Sequence, residues 1–200
     1  MVKNITVLSA VLVILTVGAC KKSNSGSGAN NLAGTTWNFT SLTSNTNITA
    51  SESVFGQTIK IVDIADFTTI NNTGTIAFTA DSMVATGVGY TIDTTYTTYD
   101  YVASTIDTVV SPLQTTIAPT NSSAGYKLIG SDSIYFENGS SPFSVSLYAG
   151  DTVQIQGAHY SISGNTLTLT STLTKTQSID TLGTSIPATA LVKSTIILSK

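Results

Sequence analysis

Arginine is absent from this 200-residue chain, and cysteine, histidine and tryptophan each occur once. Eight lysines stand against nine Asp and two Glu, a formal charge of −3. Neutralising phosphates takes clustered Lys and Arg, so this acidic chain is excluded as a nucleic-acid binder. A single Cys builds no disulfide framework, and with a single His it builds no zinc site. There are only four prolines, too few for a mucin-like stalk. The longest apolar run, Ile5 to Val17, falls short of the roughly 20 residues that cross a hydrocarbon core. No cofactor motif is present.

What the chain has instead is hydroxyl. It carries 36 Thr and 26 Ser, together 31% of its residues, alongside a 41% apolar fraction. That much apolar content, rich in β-branched side chains, argues against disorder throughout.

The N-terminus carries an address. Lys3 supplies a positive start, Ile5–Val17 an apolar stretch, and Val17-Gly18-Ala19 lead to the lone Cys20. This arrangement resembles the export signal and lipobox of bacterial lipoproteins, in which the Cys is diacylated and the chain is cleaved before it. The resemblance implies a signal peptide over 1–19, with Cys20 as lipid attachment site and membrane anchor. Residues 20–31, with the Ser/Gly/Asn-rich KKSNSGSGANN, form a flexible tether. Lys21 stands where many inner-membrane lipoproteins carry a retaining Asp, which implies an envelope location on the outer membrane. A lipid thioether would leave no thiol for other chemistry.

Residues 32–200 are expected to form one β domain. Alternation of apolar and polar residues recurs, broken by Gly, Asn, Asp and Pro, and no helical period appears. Thr166-Leu167-Thr168-Leu169-Thr170 is the cleanest case. Alternating strands belong to antiparallel sheets with one wet face. Nine or ten short strands predict an all-β barrel, or in the alternative a two-sheet β-sandwich. Gly87 and Gly89 mark a bulge or bend. Thr43–Gln57 and Ser111–Gly125, the latter holding Pro112 and Pro119, are expected to be long loops.

Three segments together resemble the lipocalin-like lipoproteins of Bacteroidetes-type bacteria. The first is Asn31-Leu32-Ala33-Gly34-Thr35-Thr36-Trp37-Asn38-Phe39-Thr40-Ser41. The second is the Tyr160–Thr170 hairpin around Gly164-Asn165, and the third is the final strand Thr195–Lys200. The resemblance implies an up-and-down barrel, either filled by side chains or holding one small apolar ligand. Two departures stand out. Two residues separate Gly34 from Trp37 where the lipocalin pattern has one, and the Arg that packs on that Trp in many lipocalins is missing.

Few residues suit chemistry. Trp37 either plugs a barrel end or is a generic core aromatic. Tyr90, Tyr96, Tyr99 and Tyr101 are the one aromatic concentration, a candidate ligand platform or cross-strand structural pairs. Period-two geometry puts Tyr99 and Tyr101 on one face and Tyr96 on the other. His159 lacks an evident nucleophile and orienting acid. Asp63 and Asp66 form no focused acid pair, and Glu52 and Glu137 lie elsewhere. Six of the nine Asp precede Ser or Thr, as in turns. The same pattern resembles the Asp-Ser/Thr O-glycosylation sites of Bacteroidetes-type exported proteins. The expected protein is a non-enzymatic, membrane-anchored lipoprotein that takes a small apolar or amphiphilic ligand. The alternative is an envelope adhesion or interaction module that binds protein or glycan.

Overall fold

The computed structural model describes residues 32–54, 56–102, 104–137, 141, 143–146, 152–181 and 184–200. The signal segment, Cys20 and the tether lie outside the described residues. The domain is all-β. Its strands are β1 (Thr35–Val54), β2 (Gln57–Thr68), β3 (Ile70–Phe78), β4 (Ser82–Val102), β5 (Thr105–Ile129) and β6 (Ser133–Phe136). There follow β7 (Ser144–Ser146), β8 (Thr152–Gln154), β9 (Gly157–Ser163), β10 (Thr166–Thr181) and β11 (Thr184–Ser199).

Nine of these strands bond as one antiparallel sheet in the order β11-β10-β9-β6-β5-β4-β2-β1-β3, and β11–β1 and β4–β3 pair in addition. The bonding is ring-like. β2 and β3 follow one another along the same channel, since β1 pairs with β2 over Thr43–Val54 and with β3 over Thr35–Asn38. Thr69, between them, is buried. Its N–H donates to Leu42 O at 2.9 Å, and its Oγ1 accepts from Leu42 N at 2.9 Å. β1 therefore stays bonded across the break. Neighbours in sequence are bonded neighbours, except that β2 and β3 share one channel without pairing and that β7 and β8 form a separate pair inserted between β6 and β9.

Two expected loops are strand. Thr43–Val54 is the second half of β1, and Ser111–Gly125 lies within β5. The first hides its alternation because its inward positions include Ser44 and Thr46, both buried, before Ile48 and Ala50. The second tolerates Pro112 and Pro119 because β5 bonds to β4 along Thr105–Gly125 but to β6 only over Tyr126–Ile129. Among the described residues no strand pairs with its other edge above Tyr126. A proline has no N–H for a ladder and is accepted on such an edge. Pro187 on β11 obeys the same rule, lying just past the last β1 partner, Ala188.

The core gathers at the end where β1 starts and β11 finishes. Trp37, Leu42, Ile76, Phe78, Met83, Leu167, Leu169 and Leu198 are essentially inaccessible. Each such side chain contributes about 1.5–3 kcal/mol of transfer free energy. Thr at outward strand positions accounts for much of the hydroxyl content: Thr166 and Thr168 alternate with the buried Leu167 and Leu169.

The expected bulge lies where β4 shifts register against β3 and β5 between Ala85 and Tyr90. Opposite it, Gly74 has φ +94°, and a Cβ there would lie 2.5 Å from the Gly87 and Val88 backbone. Gly87 also has positive φ, at +62°, but its Cβ direction is open. Gly74→Ala is therefore expected to cost about 3 kcal/mol or more, and Gly87→Ala about 1 kcal/mol. Urea unfolding of both variants measures the gap; equal costs would show that the close approach is unimportant.

Candidate functional site

Trp37 stands at the base of the interior. Its indole N–H donates to Thr35 Oγ1 at 2.8 Å, and Thr35 Oγ1 in turn donates to Leu32 O at 2.5 Å. Gly34 N donates to Phe78 O at 2.7 Å, which fixes the entry of the chain. Over the ring, 4.7 Å from its centroid, lies Lys200 Nζ. An Arg-free sequence thus still places a cation on its one Trp, by way of Lys200. Lys200 N donates to Asn165 O at 3.0 Å, tying the C-terminus to the β9–β10 turn. A Lys on a Trp face contributes about 0.5–1 kcal/mol at an exposed site.

The four candidate tyrosines do not form one platform. Tyr90 shares the inward face of β4 with Val88 and Ile92. Its ring lies 5.9 Å from that of Phe39, which lies 5.9 Å from Phe143. Burial holds the Tyr90 hydroxyl above its ordinary pKa. From Ile92 onward β4 has no register shift, so Tyr96 points inward while Tyr99 and Tyr101 point outward. The expected split of faces is present. Tyr101 pairs with Lys60 on β2, whose Nζ lies 5.6 Å from its ring.

Register places one inward row across six strands: Lys175, Ala190, Ile48, Asp63, Thr98 and Val109. The adjacent row runs Leu173, Val192, Thr46, Ala65, Tyr96 and Ser111. The interior therefore changes character along its length. It is aromatic and aliphatic around Trp37, hydroxyl-bearing at Ser44, Thr46 and Ser194, and charged at Asp63 and Lys175. Asp63 is the functional candidate that sequence reading missed. Its spacing from Asp66 carried no signal, because the partner that matters is Thr98, whose hydroxyl donates to Asp63 Oδ1. Burial holds the Asp63 pKa above the usual carboxylate value; the Thr98 bond opposes this and nearby Asp100 adds to it.

A cavity of about 10 Å³ lies among Phe136, Phe143, Ile155, Leu169, Ser171 and Ser194. That is room for about one water.

His159 has the partners it lacked in the sequence. Its Nδ1 lies 3.0 Å from Ser133 Oγ and 3.9 Å from Asp132 Oδ1. Ser133 Oγ also donates to Asp132 Oδ1 at 3.1 Å. In a catalytic triad the nucleophile and the acid sit on opposite ring nitrogens. Here both sit at Nδ1, and the His159 and Asp132 side chains are 76% and 65% exposed. This is an open polar cluster beside a turn. Two other Asp-Ser/Thr pairs bond locally: Ser82 Oγ donates to Asp81 Oδ1, and Thr108 N donates to Asp107 Oδ1. Among the described residues no group of three or more His, Cys, Asp or Glu could hold a metal ion. None of their helices is long and apolar enough to cross a membrane.

The chain matches no family model, no curated protein and no solved structure.

The raised Asp63 pKa has a stability consequence. A carboxyl with a higher pKa folded than unfolded contributes most below its unfolded value of 3.8. That contribution is lost as pH rises through the folded value. Asp63→Asn keeps an acceptor for Thr98 and removes the titration. It is expected to melt above the parent protein near pH 7 and to lose that advantage near pH 3. An equal difference at both pH values would refute the assignment.

Proposed function

We propose that this protein is a non-enzymatic lipoprotein of the bacterial envelope, held in the outer membrane by lipid on Cys20. Its domain is a lipocalin-like barrel that takes a small amphiphilic molecule. The observation that carries this reading is the graded interior: a plug of Trp37 under Lys200 at one end, and Tyr96, Thr98, Asp63 and Lys175 inward at the other. An apolar ligand body would lie against Leu173, Val192 and Tyr96, with its polar group toward Asp63, Thr98 and Lys175. The sequential, ring-like antiparallel pairing supports the barrel over the sandwich. The Lys200–Trp37 stack supports the lipocalin likeness, because it supplies a cation where that family uses Arg. A second reading, an envelope module binding protein or glycan, is favoured by Tyr99 and Tyr101 on the outer face beside Lys60.

Two experiments test the first reading. Cys20→Ala is expected to move the protein from the membrane to the soluble fraction; retention on the membrane would overturn the anchor. Native mass spectrometry of the folded protein is expected to show a co-purified small molecule. Tyr96→Ala with Lys175→Ala should cut its occupancy at least about tenfold, a change of about 1.4 kcal/mol in binding. A parent protein that carries nothing and takes up no added fatty acid would overturn ligand carriage.

A further inference from the structure

The edge of β5 that is unpaired among the described residues has a definite chemistry. Thr94 and Tyr96 of β4 pair with Leu113 and Ser111 on either side of Pro112, so the ladder continues past a residue without an N–H. Pro112 must therefore turn its nitrogen away from β4, toward the open edge. Alternation then directs the N–H and C=O groups of Ile106, Thr108 and Val110 to the same edge. The hydrogen bonding agrees, since Thr108 N donates to the Asp107 carboxylate at 2.9 Å. Ile106 and Val110 are each 61% exposed, and Asp107 is the one charged residue between Thr105 and Ser111.

We propose that two copies of the chain join edge to edge through β5, antiparallel about a two-fold axis at Thr108. In this register Ile106 faces Val110 of the second copy, Thr108 faces Thr108, and Asp107 faces Val109. The opposed pairs Ile106–Val110, Thr108–Thr108 and Val110–Ile106 each exchange both backbone hydrogen bonds. β-branched and Thr–Thr pairs are favourable across strands, and like charges directly opposite are not. Other registers are poorer. Centring on Asp107 sets that carboxylate against itself. Centring on Val109 or Val110 brings Pro112 into the ladder, where it cannot donate. Centred on Thr108, Ser111 meets Thr105, so Pro112 falls just beyond the first residue of the partner's strand. The exposed apolar pair Ile106 and Val110 is thereby covered by its own counterpart, which selects a second copy over an unrelated strand.

The Asp107 carboxylates of the two copies lie diagonal to one another, and each folded domain carries five lysines against eleven acids, a formal −6. Added salt therefore strengthens the association. A ladder of this length makes a small interface, so the dimer is weak and concentration-dependent.

Sedimentation velocity of the full chain in mild detergent, over a range of protein and salt concentrations, tests this. The expected result is a monomer–dimer equilibrium that shifts toward dimer with salt. Val110→Lys, on the open edge, should weaken it at least about tenfold. A chain that stays monomeric throughout, or a dimer indifferent to Val110→Lys, would overturn the proposal. A second measurement does not depend on the folding of that variant. In a Cys20→Ser background, Thr108→Cys should form an intermolecular disulfide under mild oxidation, because a residue on the two-fold faces itself at about 5.5 Å between Cα atoms. Lys193→Cys, on the outward face of β11, serves as the control; cross-linking no faster at Thr108 than at this control would equally overturn it.

Discussion

The pairing of β1 with β11 is the constraint on which the remaining structure rests. It runs from Asn38–Ser199 to Ala50–Ala188 and joins the first strand of the domain to the last. Without it both strands would be edges, and the sheet would be an open meander with its apolar face in water. With it, Phe39, Leu42 and Ile48 on β1 share an interior with Leu198, Ile196 and Ala190 on β11. The same register brings Lys200 over Trp37. A contact between chain ends is costly in loop entropy and forms late. Much of the stabilisation therefore arrives only when the ring closes, which favours an all-or-none transition over piecemeal assembly.

Ring closure also fixes which side chains meet in the interior. A register slip of one residue would exchange every inward and outward side chain. On β10 it would turn Leu167 and Leu169 out and Thr166, Thr168 and Thr170 in, exchanging a four-carbon side chain for a two-carbon one with a hydroxyl at each inward position. The inner row from Lys175 to Val109 thus inherits its composition from the packing below it. The register that packs the residues around Trp37 also sets which face of the sheet Asp63 and Lys175 occupy.

Legibility followed the size of the inward residues. Where they are Leu, as in Thr166–Thr170, strand and face could both be read from the sequence. Where they are Ser44 and Thr46, inside and outside look alike, and a strand passed for a loop. Proline misled in β5 because its effect depends on whether a neighbour strand needs the N–H, and that is decided by β6, too short to reach Pro112. Tyr99 and Tyr101 were separable from Tyr96 by period two alone. Which pair faces inward depends on the bulge between Ala85 and Tyr90, which no spacing rule counts. Trp37 is legible as a buried aromatic, whether plug or generic core residue, but not its cation, because Lys200 lies more than 160 positions along the chain. The His159 cluster was invisible because Ser133 and His159 meet only through β6–β9 pairing, across the inserted β7–β8 pair.

The prolines carry a further implication for how this sequence manages its edges. An open strand edge is a hazard for uncontrolled pairing, and proline is one way of blunting it. On β5 the two prolines stand at 112 and 119, leaving Thr105–Ser111 as the longest proline-free stretch between the β4–β5 hairpin and Pro119. A sequence selected only to stay apart would not leave its most exposed apolar residues, Ile106 and Val110, on that stretch. Nor would it leave Thr108 N–H turned to that edge, bonded to the exposed side chain of Asp107. Blunting above and permissiveness below is a pattern that limits the length of a ladder without forbidding it. It restricts the register of pairing to one in which charge and proline are both accommodated, and this restriction distinguishes a defined association from aggregation.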